Sequence, residues 1–307
     1  MKRKRDRFKA RKRYFSPALL LIGLILCFFV FPGNVFAGLI LDAELRLQYE
    51  DNVVGLLSDQ QKGSVSTGAG MTGGTPMQAS SMGGMGSGKS NYTGSSSGSS
   101  QSPGDFSATL YAEAGGYQDV GRNAEVFAKG FASHTSYDTY TDLDSNIGGV
   151  STGISVFLSD IISTRMSILG KIKRFDDSQR NSTAYAGNLS VKEKLTPSFW
   201  LREFGQYEKN SADTSVFSYT GTTIGIGVGY ALTKKTLGTL GYSYLIQQYD
   251  EPSSAEMKTH TAYLGAEQTI GKNWAVSGEY DLQLSKENVT GTSATNNIFS
   301  LALRYSY

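Results

Sequence analysis

Apolar and polar residues alternate at period two along much of this chain. Over 39–50, Leu39, Leu41, Ala43, Leu45, Leu47 and Tyr49 oppose Asp42, Glu44, Arg46, Gln48 and Glu50. Over 218–232, Ile224, Ile226, Val228, Tyr230 and Leu232 oppose Thr223, Gly225, Gly227, Gly229 and Ala231. Over 274–287, Trp274, Val276, Tyr280, Leu282 and Leu284 oppose Ser277, Glu279, Asp281, Gln283 and Ser285. The final residues repeat the pattern, with Phe299, Leu301, Leu303, Tyr305 and Tyr307 against Ser300, Ala302, Arg304 and Ser306. Period two is the signature of a strand with one apolar face.

Twelve such strands are predicted, over 39–50, 106–118, 124–137, 147–158, 164–175, 183–195, 199–209, 218–232, 236–249, 258–270, 274–287 and 297–307. Each is long enough to cross a bilayer at a tilt, which takes roughly 9–11 residues. Two registers stay open. Phe127, Lys129 and Phe131 compete with Val126, Ala128 and Gly130 for one face, and Trp200 to Phe204 does not alternate.

The connections alternate in length. Residues 121–123, 159–163, 196–198, 233–235 and 271–273 are tight turns, and 140–146, 176–182, 210–217, 250–257 and 288–296 are longer. Short periplasmic turns and longer extracellular loops are the outer-membrane arrangement, and an even strand count puts both chain ends in the periplasm. A soluble barrel would turn its apolar set inward. The opposite set here is glycine and charge, and a closed core of glycine, Glu and Asp would not pack. The expected fold is therefore all-β: a transmembrane, antiparallel up-and-down β-barrel of about twelve strands, apolar outside and polar inside. Aromatics near strand ends read as interfacial girdles, with Trp200, Tyr230, Trp274, Tyr305 and Tyr307 at one end and Tyr49, Phe175, Tyr185, Tyr207 and Tyr249 at the other.

The N-terminus agrees with that compartment. Residues 2–13 hold nine Lys/Arg and one Asp, an apolar run follows from Ala18 to Phe31, and Ala37 follows Pro32-Gly33-Asn34. That order reads as a signal peptide over 1–37, leaving 38–307 as the barrel. The whole chain carries 29 basic and 27 acidic residues, and removing 1–37 leaves 20 against 26, a formal −6. The basic balance belongs to the targeting segment, so no nucleic-acid partner is expected. Cys27, the one cysteine, lies in that segment, so no disulfide or thiolate metal site is expected after cleavage. Residues 54–104 are Gly/Ser/Met-rich and read as a disordered extracellular loop, either a tolerated insertion or a displayed or pore-plugging segment.

Sorting the inward positions gives the candidate site. Lys171, Lys173, Lys192 and Lys194 form a candidate basic wall of the lumen. Asp42, Glu44, Glu113, Glu267, Glu279 and Asp281 form a candidate acidic wall, with Arg46 and Arg304 as exceptions. Opposed walls would set a transverse field in a water-filled pore. Alternatively the charges pair across a plugged interior. Twelve strands at ~4.8 Å spacing and ~40° tilt give a backbone diameter of roughly 24 Å, which leaves about 12 Å between side chains. Inward glycines are expected to widen that passage.

The C-terminal Leu301-Ala302-Leu303-Arg304-Tyr305-Ser306-Tyr307, with the signal peptide and the twelve strands, resembles the porin-like outer-membrane β-barrel proteins. The resemblance implies that Tyr307 marks the chain for barrel-assembly machinery. It also implies an outer-membrane location in contact with the bilayer and lipopolysaccharide, with association into oligomers left open. Tyr49-Glu50-Asp51-Asn52-Val53 looks like a strand end found in some porin-like barrels linked to polysaccharide export. The expected function is a narrow charge-lined channel for passive passage of small polar solutes or export of a polymer. The alternative is a structural or surface-display barrel with a plugged lumen. Enzymatic activity is not expected: His134 has Ser133, Ser136 and Asp138 nearby, but no nucleophile motif surrounds it or His260. No catalytic residue, cofactor or metal is assigned. An autotransporter is set aside, because only the signal peptide precedes Leu39.

Overall fold

The computed structural model describes residues 38–52, 104–252, 255–288 and 293–307. They form twelve strands: β1 (Gly38–Glu50), β2 (Asp105–Asp119), β3 (Ala124–Tyr137), β4 (Ser145–Phe157), β5 (Ile162–Phe175), β6 (Ser182–Lys194), β7 (Phe199–Ala212), β8 (Tyr219–Ala231), β9 (Thr236–Tyr249), β10 (Glu256–Thr269), β11 (Trp274–Glu287) and β12 (Ser293–Ser306). Each pairs antiparallel with its neighbours in sequence, and β1 pairs with β12 to close the barrel. The Tyr307 amide donates to the Leu41 carbonyl across that seam at 2.9 Å. Closure removes every sheet edge, which a bilayer requires because it offers no partner for an unpaired amide.

The predicted strands are all present, with shifted ends. β7 runs to Ala212, and β12 starts at Ser293, inside a segment read as loop. Residues 1–37 and nearly all of 54–104, the expected signal peptide and long loop, lie outside the described residues.

The apolar face points outward. Leu45, Ile168, Leu264 and Leu301 stand exposed around the circumference, Ile168 at 66%. Such a continuous apolar belt has no stable place in water and fits the hydrocarbon of a membrane. Buried apolar clusters are small and lie toward the long-loop end: Tyr219, Tyr249, Ala255 and Met257 form one, Tyr137 and Leu143 another. Short 3-10 turns at Thr141–Leu143, Ser178–Arg180 and Ser215–Phe217 order three of the longer loops. The Asp105 carboxylate accepts from the amides of Phe106, Thr139 and Tyr140 at 2.8–3.2 Å and so ties the β3–β4 loop to the start of β2.

Both open registers resolve the same way. Glu125, Phe127, Lys129 and Phe131 of β3 face the lumen, as do Trp200, Arg202, Phe204, Gln206 and Glu208 of β7. Three aromatics assigned to the girdles are therefore corrected. Trp200, Phe175 and Tyr249 are buried inside the barrel, whereas Tyr185, Tyr207, Tyr230, Trp274 and Tyr307 are exposed on the outside.

Glycine explains why those rings turn inward. Phe127 lies directly opposite Gly153, Phe131 opposite Gly149, Trp200 opposite Gly229, Phe204 opposite Gly225 and Tyr263 opposite Gly241. In each pair the ring fills the space that a Cβ on the glycine would need; a Cβ on Gly153 would come within 2.7 Å of Phe127, and one on Gly149 within 2.8 Å of Phe131. The ring lies against its partner's bare backbone, which restores packing that glycine lacks in a strand. The expectation that inward glycines widen the lumen is thus corrected: most are floors for aromatic rings.

Candidate functional site

All ten predicted wall residues sit at inward positions of their strands. Their surroundings differ along the barrel. In the half nearer the long loops the charges are buried and paired. Lys171 Nζ lies 2.8 Å and Lys173 Nζ 3.3 Å from the Glu208 carboxylate. Tyr219 Oη and Gln206 Nε2 donate to the same carboxylate at 2.9 and 3.2 Å. Lys173 is 0% and Lys171 2% exposed. One glutamate on β7 is therefore shared by the two central lysines of the predicted basic wall and offsets one of their two charges.

Three of the six residues of the acidic side are matched in the same manner. Lys129 Nζ and Tyr111 Oη donate to the two oxygens of Glu113 at 2.9 and 2.8 Å. Arg46 pairs with Glu44 and Arg304 with Glu267, both at 2.8 Å. Asp42 and Glu279 are half-buried and Asp281 is buried. Opposite charges meet mostly within one sector of the wall, two strands apart or fewer, so the transverse field is weaker than free walls would give. At the long-loop mouth Arg180 is fully buried, with Nε 2.9 Å from Asp177 and its guanidinium 5.3 Å from the Phe217 ring. Burial pushes that guanidinium down to about 10, and Asp177 partly offsets the shift.

Toward the short-turn end the pattern changes. Arg165 stacks 3.7 Å over Phe127, Lys192 lies 5.3 Å over Trp200 and Arg202 lies 5.6 Å over Phe204. These are the rings seated on Gly153, Gly229 and Gly225. Wall glycine, aromatic ring and cation form three layers, each cation held from beneath by a ring face. Lys194 is exposed at the mouth itself. The sequence reading missed Glu208, Lys129, Arg165 and Arg202. Arg165 was in reach: extending the Lys171–Lys173 register back along β5 passes through it. Glu208, Arg202 and Lys129 depended on the two strands whose alternation is broken.

The two histidines face outward near the long-loop ends of their strands. His134 Nδ1 is 3.0 Å from Asn146 Oδ1, while Ser136 Oγ donates to Asp144 rather than to the imidazole. His260 Nδ1 is 2.6 Å from Tyr242 Oη, and its ring stacks beside Tyr244 at 4.7 Å. Ser133 points into the lumen, away from His134. Among the described residues no group of three His, Cys, Asp or Glu could hold a metal ion.

No family model matches the chain, and no curated protein matches it in sequence. Solved structures do match. An outer-membrane channel from Pseudomonas putida F1 superposes with a TM-score of 0.59 at 8% identity, over 90% of this chain and 99% of that one. The fold is that of an outer-membrane channel. The KdgM porin in complex with disordered oligogalacturonate gives 0.45 at 9% identity, over 87% and 99% of the two chains. The outer-membrane channel DcaP of Acinetobacter baumannii gives 0.40 at 12% identity, over 90% and 99%. At these identities the likeness concerns the barrel. What is shared with the first of them is the fold, a closed antiparallel barrel, and here its outer face carries an apolar belt.

Proposed function

We propose that the barrel is a passive channel for small polar solutes, with its constriction at the Lys171–Lys173–Glu208 and Lys129–Glu113 pairs. The carrying observation is that paired Lys, Arg and Glu side chains line the interior of a barrel whose outer face is apolar. Buried ion pairs add little net stability, and apolar residues of the same volume commonly do as well or better. A barrel that served only as an anchor would have no use for so many inward charges. A channel does, because charged heads hold water and sort solutes by sign. Side chains crowd the mid-lumen, which favours small solutes over a polymer chain.

A second reading is a plugged barrel that displays its loops. The near-complete burial of Lys171, Lys173 and Glu113 favours it. Single-channel recording of the refolded mature protein in a planar bilayer separates the two. Discrete steps, with a reversal potential under a salt gradient that moves in Lys171→Gln/Lys173→Gln, are expected of the channel. Silence from protein shown to be folded would replace it with the display barrel. A variant lacking residues 55–104 adds to the test. A channel keeps conducting without that segment, and a display barrel loses its surface phenotype.

A further inference from the structure

The short-turn end of the lumen holds a cavity of about 150 Å³ whose charged lining is Arg165, Lys192, Lys194 and Arg202 against Glu125 and Asp160. Four cations face two carboxylates, so the lining carries a formal +2.

Three observations set Arg165 and Arg202 apart from the paired cations elsewhere in the lumen. First, Arg202 is 8% exposed, and its Nε has no hydrogen-bond partner among the described residues. The Nη1 of Arg165 is likewise buried without one. A buried donor left unsatisfied is costly, the more so when charged, so such groups are kept for a reason. Second, Lys192 and Arg202 are direct cross-strand partners on β6 and β7. Like charges placed directly opposite one another destabilise a sheet. Third, the ring faces of Phe127 and Phe204 hold Arg165 and Arg202 without consuming their guanidinium edges. The contrast with Lys171 and Lys173, both tied to Glu208, lies within the same lumen.

We propose that this vestibule is an anion-binding site that takes a small oxyanion group: a carboxylate, sulfate or phosphate carried by a solute at the short-turn mouth. Arg202 and Arg165 supply in-plane N–H donors, which match the oxygen spacing of such groups, and Lys192 supplies a point charge. The Ser155 hydroxyl and the Glu125 Oε1, both buried and without a hydrogen-bond partner among the described residues, lie in the same lining, the first favouring an anion and the second opposing it. The bound anion relieves the repulsion between Lys192 and Arg202. The site does not require the lumen to conduct, so it stands or falls separately from the channel reading.

Calorimetric titration of the refolded full barrel with inorganic phosphate, in non-ionic detergent at low salt, tests this directly. Saturable one-to-one binding is expected. It should weaken by about tenfold or more in Arg202→Gln and in Arg165→Gln, the loss that follows from removing one charged hydrogen bond. Lys209→Gln, at the opposite end and on the outer face, should bind as the parent does. Absence of saturable binding by the parent barrel overturns the proposal, whatever the variants do. Equal binding by folded Arg165→Gln and Arg202→Gln overturns it as well. If Arg202→Gln does not fold, Arg202→Lys keeps the charge and tests the loss of the planar fork.

Discussion

The indole of Trp200 occupies the space that a Cβ on Gly229, its direct partner on β8, would need. One residue's ring thus depends on the other's missing side chain. Gly229→Ala should be among the most damaging single-methyl changes in the barrel, costing on the order of 1–3 kcal/mol through overpacking. Gly187→Ala is the matched control, because a Cβ there meets nothing within 4 Å. Urea unfolding in detergent should separate the two alanine variants, and shortening Trp200 to Leu in the Gly229→Ala background should recover part of the loss.

Glu208 holds two lysines at once, so its charge matters more than its volume. Glu208→Gln keeps the shape and removes the carboxylate that the buried Lys171 and Lys173 share, at a cost of about 3–5 kcal/mol. Replacing all three with apolar residues of similar size should return most of that stability. The check is the unfolding midpoint of the single variant against the triple variant.

Lys209 and Asp250 form an ion pair of the same length, 2.8 Å, but each partner is about 40% exposed, at 40% and 43%. Solvent screens this pair. Lys209→Gln should change stability by less than ~1 kcal/mol, an effect that fades as salt is added. A large effect would mean that the long-loop rim is drier than its exposure indicates.

Ile168 sits midway along β5 on the outer face and is 66% exposed. Ile168→Arg should cost roughly 2–4 kcal/mol for the folded barrel in lipid, as expected of a cation near the bilayer midplane. In detergent, where the belt is thinner and more mobile, the loss should be smaller. Equal stability of variant and parent in lipid vesicles would remove β5 from the hydrocarbon zone.

The sequence by itself determined the number of strands, the side of each regular strand that meets lipid, and the polarity of the interior. Those follow from period two, because a pleated strand sends alternate side chains to opposite faces and a bilayer tolerates only one kind on its side. Leu45 and Arg46, or Ile168 and Lys171, needed no neighbour to be placed. Phe127 and Trp200 did. Their strands carry apolar residues on both faces, and only the glycines opposite them on β4 and β8 say which face has room for a ring. The pairing of Lys171 and Lys173 with Glu208 also belongs to the tertiary structure. It depends on closure bringing β5 and β7 to one radius with β6 between them, and on shear setting their heights. Sequence marked where the lumen charges are; barrel geometry decided which of them neutralise each other and left Arg165 and Arg202 with donors to spare.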